Sequence, residues 1–278
     1  KSYLTSMIGY VFIFFILLLE GIYFTAYNLQ NAYPLFGTTL SAVTFIFLIL
    51  VPVLTMKTIA EERKQKTDQL LLTAPVSVSE IVLGKFLAVA TVYAIPVLII
   101  CLYPMIMGKY GTVSYAMAYT AVLGFALLGF AQIAVGVFWS SVTENPVIAA
   151  VVTFIVLFVC YMITGIGSLI PDSSMASLAC YMLLVLLAAV WIYHMIRNLW
   201  IAAVIGIAGE AALAITYVVK STLFEGSIQK FLSVFDITSH FDNFTNGILD
   251  LQGVVYFLSV IIIFLVLTVQ TITKRRWN

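Results

Sequence analysis

Long apolar runs separated by short polar segments dominate the pattern of this chain. A helix needs about 20 apolar residues to cross the roughly 30 Å hydrocarbon core of a bilayer. Eight runs approach that length, at approximately residues 7–28, 38–58, 84–107, 115–140, 146–170, 177–196, 199–219 and 253–273. The pattern therefore predicts an all-α fold: a polytopic transmembrane helical bundle, with residues 1–278 as one membrane domain.

The stretch 177–219 leaves two arrangements open. Only His194, Arg197 and Asn198 interrupt its apolar sequence. Two spans joined by a tight turn compete there with a re-entrant pair, so eight spans are expected but six remain compatible with the pattern.

Composition excludes an ordinary soluble domain. The 278 residues are 63% hydrophobic and 9% charged, whereas soluble proteins carry about a quarter charged residues. A net charge of +1 gives no overall field that would recruit nucleic acid. The three cysteines lie inside apolar runs, which favours small buried side chains over disulfides or a metal site.

The basic residues predict the orientation, because short loops rich in Lys and Arg stay on the cytoplasmic side. With eight alternating spans and a cytoplasmic N-terminus, the inner side receives ten of the 13 basic residues. The outer side keeps Lys109, Lys220 and Lys230. This split predicts that both termini are cytoplasmic.

One hydrophilic segment, residues 59–77, has a pattern of its own. Its first half contains strong helix formers, with Glu62 and Lys66 spaced i, i+4 as a pair that supports an exposed helix. Its second half presents Leu70 and Leu71, and Pro75 ends it. A helix with charged flanks and an apolar tip can dock into a groove on another protein. A solvated interfacial helix that links two spans is the alternative.

The same segment carries a family resemblance. The string Glu61-Glu62-Arg63, Thr67, Leu71-Leu72, Pro75-Val76-Ser77 and Gly84-Lys85 resembles the cytoplasmic loop of ABC-2 type permeases that carries their coupling helix. Residues 140–146, SSVTENP, resemble the second short cytoplasmic turn of these permeases. The end of the chain, at 241–250, 256–259 and 274–277, is similar to the gliding-motility-type and copper-enzyme-maturation branch.

The resemblance implies the permease subunit of an ATP-driven exporter in a bacterial plasma membrane. The implied partners are a separate ATPase chain that holds ATP and Mg, a second permease chain (identical or paralogous) and an extracytoplasmic accessory protein. The residues implied in coupling are Glu61, Glu62, Arg63, Lys66, Thr67, Leu70, Leu71, Pro75, Glu144 and Asn145. The common family plan has six spans, so the pair at 177–219 departs from it.

Motifs for catalysis and nucleotide binding are absent from the sequence. No GxxxxGK[ST], HExxH or GxSxG occurs, and His194 and His240 each stand alone. We therefore expect no enzyme activity and no cofactor on this chain. A secondary transporter, an accessory subunit without ATP coupling, a membrane-embedded enzyme and a membrane anchor are weaker alternatives, and no internal repeat favours the first of them.

Two carboxyl groups fall within predicted spans, Glu20 in the first and Glu210 in the seventh. A charge at that depth costs at least about 2.5–3.5 kcal/mol, so such a side chain faces the protein interior, pairs or is protonated. Both are candidates for a translocation path. For Glu210 the alternative is a packing contact, because Gly206 and Gly209 would let another helix approach closely.

Residues 220–252 form the predicted extracytoplasmic segment. Phe224, Ile228, Phe231, Leu232 and Phe235 recur at helical spacing, which predicts an amphipathic helix that lies at the outer interface or is folded onto the bundle.

Overall fold

The computed structural model describes residues 7–67, 76–196 and 198–276. Within these ranges the regular structure is helical, as predicted. The α-helices are α1 Met7–Tyr23, α2 Phe36–Thr55, α3 Ala60–Lys64, α4 Val78–Ile100, α5 Tyr103–Tyr110, α6 Tyr115–Val142, α7 Pro146–Ser168, α8 Ser174–Ile196, α9 Leu199–Val219, α10 Ser227–Ser233, α11 Asp242–Thr245 and α12 Leu251–Arg276. A π-helical segment, Phe24–Gln30, extends α1.

Among the described residues, six helical stretches are long and apolar enough to cross a membrane: Met7–Gln30, Phe36–Lys64, Val78–Tyr110, Tyr115–Val142, Pro146–Ser168 and Leu251–Arg275. A seventh is counted if Ala203–Val219 and Ser221–Ser233, which meet at a bend of 116°, form one broken span. The predicted polytopic helical bundle is confirmed. Eight spans were expected, and six or seven are counted among the described residues, where Ser174–Val190 of α8 is a shorter apolar helix.

The described chain separates into two compact units. Unit 1 comprises residues up to 159 and from 237 onward, and unit 2 comprises residues 160–236. The division falls inside α7.

Helix α6 is the central helix of unit 1 and packs against α2, α4 and α12. Two glycines make these contacts close. A Cβ added at Gly129 would lie 2.2 Å from the Tyr93 ring, and one added at Gly136 would lie 2.2 Å from the Thr55 hydroxyl. Helix association in membranes depends on such close packing, because lipid is as apolar as the helices themselves.

Unit 2 contains the hairpin of α8 and α9, followed by a 3₁₀ turn, Ser221–Phe224, and by α10. Of the five residues of the predicted pattern, Ile228, Phe231 and Leu232 lie in α10, a helix of 7 residues. Phe224 and Ile228 are buried, while Phe231 and Phe235 are exposed. In the same unit, the Thr164 hydroxyl donates a hydrogen bond to Asp236.

The remainder of the predicted outer segment belongs to unit 1. Phe241 and Phe244 are fully buried, and a Cβ added at Gly124 of α6 would lie 2.5 Å from Phe244. Residues 239–245 therefore pack on the bundle of unit 1.

Candidate functional site

One end of unit 1 carries Arg63, Lys85 and Arg275 and is called the basic end. There α2 turns into α3 and α6 ends, and Ser140 holds these helices together. The Ser140 hydroxyl accepts hydrogen bonds from the backbone N–H groups of Ile59 (3.0 Å) and Ala60 (3.1 Å). It also donates to the carbonyl oxygen of Met56 at 3.1 Å. The first N–H groups of a helix have no partner within it, and here a side chain from α6 caps the start of α3.

Arg63 anchors α3 to the end of α6. Its side chain is only 4% exposed, and its guanidinium donates to the carbonyl oxygen of Ser141. It also pairs with Glu144 at 3.4 Å, and Arg275 of α12 lies 3.6 Å from the same carboxylate oxygen. Because Glu144 is 70% exposed, solvent screens both ion pairs. The buried bond to Ser141 is therefore the main anchor.

Lys85 ties α4 to the same turn. Its ammonium group donates to the carbonyl oxygen of Thr58 at 2.9 Å and pairs with Glu62 at 2.5 Å. The turn between α2 and α3 is thus bonded to α6 through Ser140 and Arg63, and to α4 through Lys85.

Helix α3 ends sooner than the sequence pattern predicts. The N–H of Thr67 bonds to the carbonyl of Glu62 (2.9 Å) and that of Lys66 to the carbonyl of Arg63 (3.1 Å). With Lys66 in the left-handed region at φ 58°, this is a Schellman motif, which terminates a helix. The expected i, i+4 pair of Glu62 and Lys66 does not form, because the helix has ended and Glu62 faces Lys85.

The remaining residues of the predicted coupling segment are placed as follows. Glu61 lies in α3 and accepts from the Gln65 amide at 2.9 Å. Asn145 precedes α7, and its side-chain oxygen accepts from the N–H of Val147 at 3.0 Å, an N-cap. Leu70, Leu71 and Pro75 lie outside the described residues.

The beginning of α4 is set by Ser77. Its hydroxyl accepts from the N–H of Glu80, and the Glu80 carboxylate accepts from the N–H of Ser77, which makes a capping box. The capping box fixes the position where the chain re-enters the bundle after the coupling segment.

Glu20 is fully buried in α1, and neither of its carboxyl oxygens has a hydrogen-bond partner. It lies within electrostatic reach of Tyr93 and Tyr103. The Tyr93 hydroxyl donates to the carbonyl of Phe125 at 2.7 Å. A buried polar group without a partner costs free energy, and Glu20 is one of several such groups in the described part of unit 1.

Glu210 occupies a different setting, in unit 2. It is half-buried on α9 and lines a groove between α8 and α9. Its Oε1 atom is buried without a hydrogen-bond partner. Gly206 and Gly209 lie close to Ala189 and Val185 of α8. Glu20 and Glu210 lie in separate units.

Sequence reasoning assigned no role to Ser140 or Lys85. Both stood inside strings that resembled family loops, yet a lone serine and a lone lysine give no signal of their partners. Ser140 and Ile59 are 81 residues apart along the chain, so only the folded structure brings them together. Gln132, buried in α6 with an unpartnered side-chain oxygen, also escaped attention.

The fold and the basic end define a class: a multi-pass helical membrane protein whose turn between two spans is bonded to the neighbouring spans. Comparison with known families narrows this class. The model of the ABC-2 family transporter proteins matches residues 6–275. The chain belongs to this family, and it is a permease component of an ABC transporter. No curated protein and no solved structure matches it.

Proposed function

We propose that this chain is the permease subunit of an ATP-driven exporter, and that the basic end receives the movement of a separate ATPase. The observation that supports this proposal is the bonded turn at residues 56–67, defined here as the coupling turn. A segment that transmits force must be fixed to the helices it moves. The coupling turn is fixed to three of them.

The first connection is covalent, since α2 and α3 belong to one stretch, Phe36–Lys64. The second is the Ser140 hydroxyl, which bonds both Ile59 and Ala60 to α6. The third is Lys85 on α4. A displacement of α3 by a partner would therefore shift α2, α4 and α6 together, and α6 also packs against both α2 and α4 in unit 1.

The exposed side chains at the basic end are polar or charged, as expected for a surface that binds a protein partner in water. Lys64, Gln65, Lys66 and Thr67 are exposed, whereas Arg63 is held inside. The coupling turn thus offers a polar outer surface on a fixed base. Short loops rich in Lys and Arg stay on the cytoplasmic side, so we place this end in the cytoplasm. ATP and Mg are available to an ATPase there.

Further parts of the proposal rest on the family resemblance. They are a location in the bacterial plasma membrane, pairing with a second permease chain, and membership of the gliding-motility-type and copper-enzyme-maturation branch. An extracytoplasmic accessory protein and the absence of catalysis on this chain belong to the same proposal. Glu20 is our candidate for the translocation path, because an unpartnered buried carboxyl group would gain hydrogen bonds if a polar path opened beside it.

Co-purification tests the proposal. The chain is isolated from native membranes in mild detergent, as wild type and as the double variant Glu62→Ala, Leu71→Asp. We expect an ABC ATPase with the wild type and its loss from the variant, while the matched control Glu225→Ala, an exposed glutamate in unit 2, retains it. A wild-type chain without an ATPase, or a double variant that keeps it, contradicts the proposal.

A further inference from the structure

A cavity lies at the end of unit 1 that is opposite the basic end. It has a volume of about 350 Å³, near the lower limit of the range of about 300–1,000 Å³ that is usual for small-molecule sites. Two segments line it: residues 28–34, which lead from the π-helical segment to α2, and residues 107–113, which lead from α5 to α6. We call it the outer cavity.

The lining of the outer cavity is polar but uncharged. Polar and apolar atoms share its surface about equally. Its polar side chains include those of Tyr33, Tyr110 and Thr112, which are exposed, so a ligand can reach their hydroxyl groups. Among the described residues, none that lines the cavity carries a charge. The cavity therefore offers neutral hydrogen-bonding groups beside apolar surface.

The backbone beside the outer cavity is unusual at two places. Phe24–Gln30 is π-helical, and π-helical turns are rare and occur frequently at functional sites. Ala32 lies in the left-handed region at φ 51°, which residues other than glycine seldom adopt. Such strained residues persist only where the surrounding structure fixes them, and they cluster at ligand sites. Both features support a site here independently of the volume of the cavity.

Asn28 fixes this backbone. Its side chain is buried, and its amide nitrogen donates to the carbonyl oxygens of Tyr33 at 2.8 Å and Leu35 at 3.4 Å. Its amide oxygen accepts from the Thr39 hydroxyl at 2.5 Å. These bonds tie the end of the π-helical segment to the beginning of α2. On the other wall Met107 of α5 is buried, and α5 packs against the π-helical segment.

We propose that the outer cavity binds a neutral sugar group. The hydroxyl groups of a sugar both donate and accept hydrogen bonds, as do those of tyrosine and threonine. A charged ligand would lose its hydration without gaining an ion pair, and a purely apolar ligand would leave the hydroxyl groups of the cavity without partners. The C–H faces of a sugar ring match the apolar surface of Leu29, Pro34 and Val113.

The position of the outer cavity allows two sources of such a group. Helix α2 runs from this cavity to the basic end, so the cavity lies on the extracytoplasmic side when the basic end is cytoplasmic. A sugar reaches it there as the headgroup of a glycolipid or free in solution, and the chemistry that recognises it is the same. The proposal does not depend on ATP coupling, so it can fail or succeed separately from the proposed function.

Photolabelling tests the outer cavity in the full-length chain, reconstituted in phosphatidylcholine nanodiscs so that no glycoside detergent competes. The probe is an alkyl maltoside with a photoactivatable group next to its headgroup, and the matched probe is the alkyl phosphocholine of equal chain length. We expect saturable labelling within residues 28–34 and 107–113 by the maltoside alone. Competition by free maltose supports a free sugar as the source, whereas competition only by unlabelled alkyl maltoside supports a glycolipid headgroup.

Two variants test the contribution of the lining. Tyr110→Phe combined with Thr112→Val nearly keeps the shape but removes two hydroxyl groups, and it is expected to weaken maltoside binding roughly fivefold to a hundredfold, as for two hydrogen bonds. Val113→Trp fills the cavity and is expected to abolish labelling, with monodisperse elution as the check on folding. The matched control is Tyr10→Phe combined with Thr91→Val, two exposed residues outside the cavity, which should leave binding unchanged.

Three results would overturn the proposal. The first is maltoside labelling that is absent or does not saturate. The second is equal labelling by the phosphocholine probe, which would show that the cavity takes up lipids irrespective of their headgroup. The third is maltoside binding that remains at the wild-type level when the hydroxyl groups of Tyr110 and Thr112 are removed.

Discussion

Replacing Ser140 by alanine tests how the coupling turn is held. Ser140 is fully buried, and its hydroxyl serves two backbone donors and one backbone acceptor. Removal leaves the N–H groups of Ile59 and Ala60 without this acceptor. An unsatisfied buried group costs about 1–3 kcal/mol, and loss of an N-cap costs about 0.5–2 kcal/mol. Two donors therefore give an expected loss of about 2–4 kcal/mol in the local opening free energy.

The chain offers a matched control in the next residue. Ser141 is equally buried, but its hydroxyl donates only within its own helix, to the carbonyl of Phe138 at 2.7 Å. That carbonyl lies inside α6, where a helical partner remains available. Ser141→Ala is therefore expected to cost about 1 kcal/mol or less, while its backbone carbonyl continues to bind Arg63.

Hydrogen exchange measures this difference directly. In detergent, the amides of Ile59 and Ala60 are expected to lose about 30-fold to 1,000-fold of their protection in Ser140→Ala, which is the opening free energy converted to a population. Protection in Ser141→Ala should remain close to wild type. Equal protection at both amides in the two variants would refute the role of Ser140.

Three further predictions concern single side chains. Lys66→Gly relieves a left-handed non-glycine residue and should stabilise the coupling turn by about 1 kcal/mol, seen as slower tryptic cleavage at Arg63; faster cleavage contradicts it. Lys85→Met removes the bond to the Thr58 carbonyl and should lower the free energy of unfolding by about 1 kcal/mol, measured by denaturant titration in mixed micelles, whereas an unchanged midpoint contradicts it. The hydrogen bond from Asn243 lowers the pKa of Asp250, so Asn243→Ala should raise that pKa toward its ordinary value in an NMR titration of labelled aspartate. The hydrogen bond between Asn243 and Asp250 stabilises the fold at pH values above the ordinary pKa of Asp250, and this stabilisation is lost as the pH falls through the lowered pKa. A pKa of Asp250 that does not change in Asn243→Ala contradicts this prediction.

The membrane architecture could be predicted from the sequence because it depends on a local property. Apolar runs such as 115–140 and 146–170 exceed the length of a span, and α6 and α7 follow them closely. The stretch 177–219 was harder, because its helices carry polar interruptions near 194–198 and a bend after Val219. Length and apolarity alone do not decide whether such a pair of helices forms two spans or a re-entrant pair.

The candidate site was only partly predictable. The sequence indicated the position of the coupling turn, since Glu61, Glu62 and Arg63 stand between two apolar runs. It did not indicate that Lys66 would take a left-handed conformation or that Glu62 would face Lys85. A helical pattern of charges describes which side chains could pair if the helix continued, whereas the Schellman motif ends α3 before Lys66.

Phe241 and Phe244 illustrate the same limit at the other end of unit 1. The sequence placed them in the outer segment without deciding whether that segment lies at the interface or on the bundle; both are fully buried and pack near Gly124 of α6. An apolar face that packs on protein and one that packs on lipid have the same periodicity. Their distinction requires the tertiary contacts.

Site-specific cross-linking tests whether the coupling turn contacts an ATPase. A cysteine is placed at Lys64, an exposed position on α3, and another at Thr112, an exposed position in the loop between α5 and α6, and a bifunctional reagent is added to native membranes. We expect Lys64→Cys to form an adduct with a chain that contains a GxxxxGK[ST] nucleotide-binding motif, and Thr112→Cys to form none. No such adduct from Lys64→Cys, or equal adducts from both positions, would contradict the proposal that the coupling turn contacts an ATPase.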